Sequence, residues 1–303
     1  MLTFGEKERV CESLFDANGP FWHVYTDGSV QQDMFCCEDE FREGMMALAV
    51  CAVLSDDVEL VTFELMHNHV HLIMRGMREG CLGFFKDFKQ RLQRVQRRWG
   101  RTVDLSGFNA KILEIETLRD LRNEIVYANR NAYVANPNYT PFSYPWGGGW
   151  AYFSPVIDLL PAMSIQQMGY TRARELTHYR DVGALASLKF VGDVPFIPSF
   201  CRVDLGQGMF QDARGYFSLL SRNAEAYSQI ALRLKDSVFL TDDEMFVVAG
   251  RCAEECYSSK LRLLTPEQRI GLARKLHYEY NASNVQLRRI LGLEMAVLNE
   301  LFP

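Results

Sequence analysis

The chain predicts an α+β fold: a four-stranded antiparallel sheet with helices packed on it, followed by a mainly helical C-terminal region. Three observations predict it. Short β-patterned runs alternate with helix-patterned runs over the first 116 residues. One segment beyond residue 80 carries large apolar side chains at 3-and-4 spacing. Five of the ten prolines and the run Gly147–Gly149 fall within 136–161, and helical patterns dominate after that stretch. With 303 residues the chain exceeds one typical domain, since single cores usually stop growing near ~250–300 residues. The expected division is a first domain over 1–160, a helical middle region over 161–240 and a helical C-terminal module over 241–303.

FWHVYTDG (21–28) reads as a strand, DEFREGMMALAVCAVL (39–54) as a helix and VELVTFELM (58–66) as a second strand. HVHLIMRG (69–76) makes a third strand. CLGFFKDFKQRLQRVQRRWG (81–100) places Phe85, Phe88, Leu92, Val95 and Trp99 on one face of a helix ended by Gly100. FNAKILEIE (108–116) closes the set as a fourth strand. The order βαββαβ is that of a ferredoxin-like split βαβ unit, with both helices on one face of the sheet. The other face is expected to stay free for a site. A further helix runs over 116–135, the proline-rich stretch reads as a well-anchored linker, and GYFSLLSRNAEAYSQIALRLKD (215–236) is the clearest later helix.

Apolar residues make up 48% and charged residues 23%, with a net charge of −5, which excludes disordered and collagen-like classes. The longest mainly apolar stretch, Met45 to Leu54, is about half the ~20 residues that a bilayer needs. MLTFGEKERV lacks a signal-peptide pattern, and the expected location is the cytoplasm. The eight cysteines form no CxxC pair, so reduced thiols are expected. Cys252 and Cys256, four apart on a helix, read as small packed side chains rather than half a metal site. Charge is unevenly spread. Residues 1–60 hold 3 basic against 13 acidic residues, and 75–131 hold 13 basic against 7 acidic. A concentrated basic segment can bind a polyanion whatever the overall balance.

Three of the six histidines fall within five residues, in ELMHNHVHLIM. On a strand, His69 and His71 point to one side, so two imidazoles can grip one divalent ion, and His67 would share that side if the strand began early. Taken alone, the pair also fits two surface histidines or a zinc site of unrelated purpose. Winding 116–135 at ~100° per residue places Leu118, Leu121, Ile125, Ala128 and Ala132 in one apolar stripe. Tyr127 and Asn131 lie together on the opposite, polar face, where a phenol and an amide can be offered to a third group.

LMHNHVHLIM resembles the His-hydrophobic-His motif of single-tyrosine transposases, in particular the insertion-sequence and REP-associated tyrosine transposases, whose strand usually reads MPNHVHLL. VYANRNAYVA and the downstream YPW at Tyr144–Trp146 are similar to that family's tyrosine helix and the stretch after it. The resemblance covers about residues 15–150 and departs at two positions: His67 and Ala132 stand where the family has proline. It implies a metal-dependent transposase that nicks and rejoins single-stranded or hairpin DNA, with Tyr127 as nucleophile, His69 and His71 as metal ligands and Asn131 completing the set. It also implies a 5′-phosphotyrosine with a free 3′-OH released, Mg²⁺ or Mn²⁺ as the cofactor, DNA as the partner, and either a monomer or a homodimer that exchanges tyrosines. A free phenol, with a pKa of about 10, needs such activation at neutral pH.

Lys86, Lys89, Arg91, Arg94, Arg97, Arg98 and Arg101 give seven positive charges against Asp87 alone, and beside a phosphodiester-cleaving site they predict salt-sensitive DNA binding. Near the C-terminus, Thr265–Gln268 fits a capping box, Ser283 fits a helix cap, and ILGLEM (290–295) resembles the turn of a helix-turn-helix. The helix after that turn holds two acids and no base, which suits packing better than groove reading. The competing reading is a domesticated, non-catalytic DNA-binding protein that keeps the fold and the basic helix.

Overall fold

Thr3 starts the first helix: its hydroxyl accepts from the Glu6 amide, and the Glu6 carboxylate returns to the Thr3 amide at 2.7 Å. That reciprocal cap satisfies two amides that the first helical turn leaves unpaired. The computed structural model describes residues 3–28, 31–101, 103–135, 143–222, 230, 234 and 240–302, with backbone only at 132–135 and 221–222. Contacts divide the chain into two compact units, 1–222 and 223–303. Residues 161–222, read from the sequence as a separate region, therefore pack within the first unit.

In that unit the order is α1 (Phe4–Asn18), β1 (Phe21–Tyr25), α2 (Glu38–Leu54), β2 (Val58–Leu65), β3 (Val70–Gly76), α3 (Arg78–Arg98), β4 (Lys111–Ile115) and α4 (Leu118–Ala135). The four strands form one antiparallel sheet in the order β2-β3-β1-β4. The βαββαβ succession expected over 21–116 is therefore present, with β4 shorter than expected because 108–110 precede it as coil.

Alternation of side chains gives the sheet two unlike faces. One carries Trp22, Val24, Leu72 and Met74, all buried, and packs against α2 and α3. Of the apolar stripe expected on α3, Phe85, Phe88, Leu92 and Val95 lie there at 4% exposure or less, whereas Trp99 follows the helix end and is 42% exposed. The opposite face carries His23 and Tyr25 on β1, His71 on β3 and Thr62 and Glu64 on β2. The sequence leaves this face open, whereas in the structure α4 covers it, in contact with β2, β3 and β4. The reason is that α4 is buried on all sides from Glu124 to Asn131 and also packs against α1 and α8 (Ala213–Arg222).

The edge of β2 is closed by later chain, one remedy for unpaired strand edges. Leu65 N donates to Trp146 O at 2.9 Å, Gly148 N to Phe63 O at 2.7 Å and Arg202 N to Leu60 O at 2.7 Å. A bulge at Val61 turns its carbonyl toward the Tyr152 hydroxyl, 2.9 Å away. The described part of the proline-rich stretch, 143–161, is thus anchored as the sequence suggests, while 136–142 lie outside the described residues. The region expected to be mostly helical also contains a second, three-stranded antiparallel sheet: β5 (Met163–Ser164), β6 (Lys189–Val191) and β7 (Val194–Pro195). Its strands are too short to register as periodic patterns. Three helices flank it before α8: α5 (Ile165–Met168), α6 (Tyr170–Thr177) and α7 (Val203–Gly208). Of the helix expected over 215–236, α8 supplies the first part and the residues after 222 fall mostly outside the described set.

The second unit holds α9 (Asp242–Tyr257), α10 (Pro266–Tyr280), α11 (Asn284–Leu291) and α12 (Met295–Leu301). Thr265 and Ser283 both form the capping boxes that their sequences suggest. Gly292, at φ +66°, makes the turn between α11 and α12. Cys252 is buried and Cys256 exposed, so the pair does not converge on one site, and all eight cysteines are free. Among the described residues, no helix is long and apolar enough to cross a membrane.

Two glycines test the packing of α4. A Cβ at Gly149 would lie 3.0 Å from both the carbonyl oxygen and the Cβ of Asn129, atoms that the helix cannot move aside. Gly149→Ala is expected to lower stability by about 1–3 kcal/mol. Gly83→Ala, in α3 with nothing within 4 Å, is expected to raise it by about 0.4–1 kcal/mol. Denaturant melts of both variants check the pair, and equal effects would contradict the packing described.

Candidate active site

The histidine face of the sheet and the polar stripe of α4 meet in one buried cluster. Glu124, Tyr127 and Asn131 follow one another at i, i+3 and i+7, so one side of the helix presents all three. All three are 1% exposed, and His23 and His71 opposite them are 0% exposed. The sequence places the Tyr127–Asn131 stripe on an outer, polar face. It is polar but not outer, because its partner is a sheet face that is itself polar.

A continuous hydrogen-bonded chain crosses this interface. Glu124 Oε2 lies 2.8 Å from His23 Nδ1, His23 Nε2 lies 3.0 Å from His71 Nδ1, and His71 Nε2 lies 2.8 Å from Asn131 Nδ2. An amide nitrogen only donates and an ionised carboxylate only accepts, which fixes the sense of every bond. Asn131 donates to His71 Nε2, His71 Nδ1–H donates to His23 Nε2, and His23 Nδ1–H donates to Glu124. His71 is thereby held with its Nε2 lone pair directed at α4.

His69 is oriented by a separate device. Asn68 Nδ2 donates to Gly28 O at 2.8 Å, which turns Asn68 Oδ1 toward His69 Nδ1, also at 2.8 Å. His69 Nδ1 must then carry the proton, again leaving Nε2 as the acceptor. Gly28 permits this approach, since a Cβ there would sit 2.8 Å from His69 Nδ1. His69, just before β3, and His71, within it, have ring centroids 5.1 Å apart and planes at 88°. The Tyr127 ring meets His71 edge-on at 5.3 Å and His23 at 6.2 Å. His69, His71, Tyr127 and Asn131, singled out by sequence, are therefore brought together.

His67 is not part of the cluster. β3 begins only at Val70, and the His67 ring packs 5.3 Å from Phe41 of α2 while its carbonyl accepts from the amides of Met34 and Phe35. Ala132 leaves α4 unbroken to Ala135, as expected of a helix without proline there. His23 and Glu124 were not singled out by sequence. Their signals were present: His23 alternates with Tyr25 on a strand, and Glu124 extends the Tyr127–Asn131 stripe by one turn. Lys111, on β4 opposite Tyr25, adds an ammonium to the same face, 2.6 Å from Asp27 Oδ2.

The basic helix stands elsewhere. α3 covers the face of the sheet opposite the histidines, so its charges are separated from the cluster by the sheet rather than lying beside it. Arg98 pairs with Glu43 at 2.6 Å and Arg101 with Glu40 at 2.5 Å, both on α2. Lys89 donates to Asn109 Oδ1 at 3.0 Å, and Arg91 lies 5.1 Å over the Tyr179 ring. Lys86, Arg94 and Arg97 are exposed.

No family model, curated protein or solved structure matches this chain. The site therefore has to be weighed on its own donors. Among the described residues, no group of three His, Cys, Asp or Glu side chains is arranged to hold a metal ion. The set that does converge is two imidazoles, each with Nε2 as acceptor, and the Asn131 amide, whose nitrogen donates to His71 Nε2 and whose oxygen would face an ion only after the amide turns over. Two imidazole nitrogens, joined by the amide oxygen after that turn, fit a divalent ion of the manganese type better than an all-oxygen magnesium site.

The burial pattern predicts an order of reactivity toward diethylpyrocarbonate. His67 and His178, both exposed, are expected to be modified first, with His23 and His71 protected by at least ~10-fold as long as the fold holds. Peptide mass spectrometry of a time course reads this directly. Early modification of His71 would contradict the enclosed cluster.

Proposed function

We propose that this chain is a metal-dependent, single-tyrosine enzyme that nicks and rejoins single-stranded or hairpin DNA, built on a ferredoxin-like βαββαβ scaffold and working in the cytoplasm. The observation that carries the reading is the approach of His71 on β3, with His69 just before it, to Tyr127 and Asn131 of α4. The resemblance of LMHNHVHLIM and VYANRNAYVA to the single-tyrosine transposases supports the same assignment, and the strand order β2-β3-β1-β4 suits that scaffold.

His69 and His71 through Nε2, and Asn131 through its amide oxygen once the amide turns its nitrogen away from His71 Nε2, would hold the ion. When bound, it supplies Lewis-acid polarisation of a phosphate oxygen. Tyr127 provides the nucleophile: its phenolic oxygen bonds to phosphorus, the bond from phosphorus to the 3′-oxygen breaks, and the phenol proton passes in net to the departing 3′-oxygen. The product is a 5′-phosphotyrosine, and attack by another 3′-OH reverses the step to join strands, which conserves the bond energy. The helix holds Tyr127 and Asn131 one turn apart, so nucleophile and ligand keep a fixed separation.

A second reading, a domesticated DNA-binding protein without catalysis, is favoured by one observation: Tyr127 is 1% exposed and His71 0%, so a phosphodiester reaches them only after the cluster opens. His69, at 8%, and the half-buried Asn68 and Gly28 form the side nearest solvent.

Incubation with Mn²⁺ and a hairpin-bearing single-stranded oligonucleotide decides between the two. The wild-type chain is expected to yield a covalent protein–DNA adduct on a denaturing gel, Tyr127→Phe none, and His71→Ala at least ~10³-fold less, the scale of several kcal/mol of transition-state stabilisation. An adduct in Tyr127→Phe would remove the nucleophile assignment. Retained gel-shift binding with no wild-type adduct would establish the second reading instead.

DNA binding through α3 has its own signature. Exchange of exposed Lys86, Arg94 and Arg97 for glutamine is expected to weaken binding uniformly across sequences and to flatten the salt dependence by roughly 0.7 for each phosphate that is no longer neutralised. An unchanged salt slope in fluorescence anisotropy titrations would show that nucleic acid does not lie on this helix.

A further inference from the structure

We propose that His23 and Glu124 are positioning residues whose task is to fix the tautomer of His71. The inference rests on the reading of His71 as a metal ligand, although its first test does not.

Glu124 and His23 are 1% and 0% exposed, and removing a carboxylate and an imidazole from water is expensive unless each finds a partner. A buried pair of this kind seldom stabilises a fold more than apolar residues of similar volume would. Both sit beside buried apolar residues, His23 between Phe21 and Val24 on β1 and Glu124 between Leu121 and Ile125 on α4, where a polar pair costs more to bury than apolar side chains.

What it does accomplish is geometric. A neutral imidazole has two tautomers, and only one leaves Nε2 able to bind a cation. The Glu124 carboxylate accepts a hydrogen bond from His23 Nδ1–H, 2.8 Å away, so His23 Nε2 keeps a lone pair and must accept. His71 Nδ1, 3.0 Å from it, must then donate, and the His71 lone pair is left on Nε2, on the side of Asn131 and Tyr127. The tilt between the two imidazoles, 50°, lets one in-plane lone pair meet the other's in-plane N–H. Carboxylate-to-histidine support of a ligating imidazole is a general way of setting ligand basicity and direction, and its loss typically costs ~10–100-fold in metal affinity. Here a second histidine is interposed, which carries the effect from α4 across β1 to β3. The arrangement also makes α4 contribute on both flanks of His71, with Glu124 setting the proton on one nitrogen and Asn131 meeting the other.

Long-range ¹H–¹⁵N correlation spectra of the metal-free, histidine-labelled full chain test the inference before any metal is added. The wild-type spectrum is expected to show His71 protonated on Nδ1, and a wild-type His71 protonated on Nε2 overturns the proposal. Glu124→Gln replaces the obligate acceptor by a group that also donates, so the His71 tautomer is expected to become mixed. Mn²⁺ affinity, followed by the loss of free-ion electron paramagnetic resonance signal, is expected to fall ~10–100-fold. A Glu124→Gln chain that keeps a single Nδ1–H tautomer and wild-type Mn²⁺ affinity overturns the proposal as well. Tautomer mixing together with weakened Mn²⁺ binding supports it even if no oligonucleotide forms an adduct. In that event the nicking reading fails and the positioning role stands.

Discussion

Everything at the candidate site depends on a polar helix face being buried against a polar sheet face. Glu124, Tyr127 and Asn131 on α4, and His23 and His71 on β1 and β3, would each be costly to bury alone. Together they form a chain in which each hydrogen bond fixes the sense of the next, and such networks specify one arrangement because a partly satisfied alternative is worse. The position of α4 is therefore set by chemistry as much as by apolar packing. Its other sides join the core through Leu121, Ile125 and Ala128, and Arg122 ties it to Glu8 of α1 and to the carbonyl of Met209.

Much of this was legible in the sequence, and the part that was not has a common cause. The βαββαβ succession, the amphipathic face of α3 and the caps at Thr265 and Ser283 follow from local periodicity and local hydrogen bonding. The shared face of His69 and His71 follows from alternation on a strand. Periodicity also separated the Tyr127–Asn131 stripe from the apolar stripe of α4. It could not say what the polar stripe would meet, because a run of polar side chains looks the same whether it faces water or a matching polar surface. His23 and Glu124 were hidden for the same reason: each is unremarkable in its own element and acquires a role only when the fold brings two residues 101 positions apart to 2.8 Å. His67 shows the reverse error, where a motif of three histidines suggested a third imidazole that the start of β3 turns toward Phe41.

The basic segment illustrates how charge counts can mislead about place. Lys86, Arg94, Arg97 and Arg98 of α3 are exposed, whereas Lys89 and Arg91 are half-buried. The sheet nevertheless stands between them and the histidines, and two of the seven are held by Glu43 and Glu40. A nucleic acid bound along α3 would have to pass around the sheet to reach Tyr127. Lys111, on the histidine face beside Tyr25 and Asp27, is a closer cation for a phosphate at the cluster.

The most direct test of this account is the location of manganese in crystals of the full chain grown with Mn²⁺, read from anomalous scattering. The account predicts one strong peak within bonding distance of His69 Nε2 and His71 Nε2, with the Asn131 amide oxygen turned toward it and Tyr127 alongside. Manganese bound elsewhere, with the Asn131 amide nitrogen still seated on His71 Nε2, would contradict it.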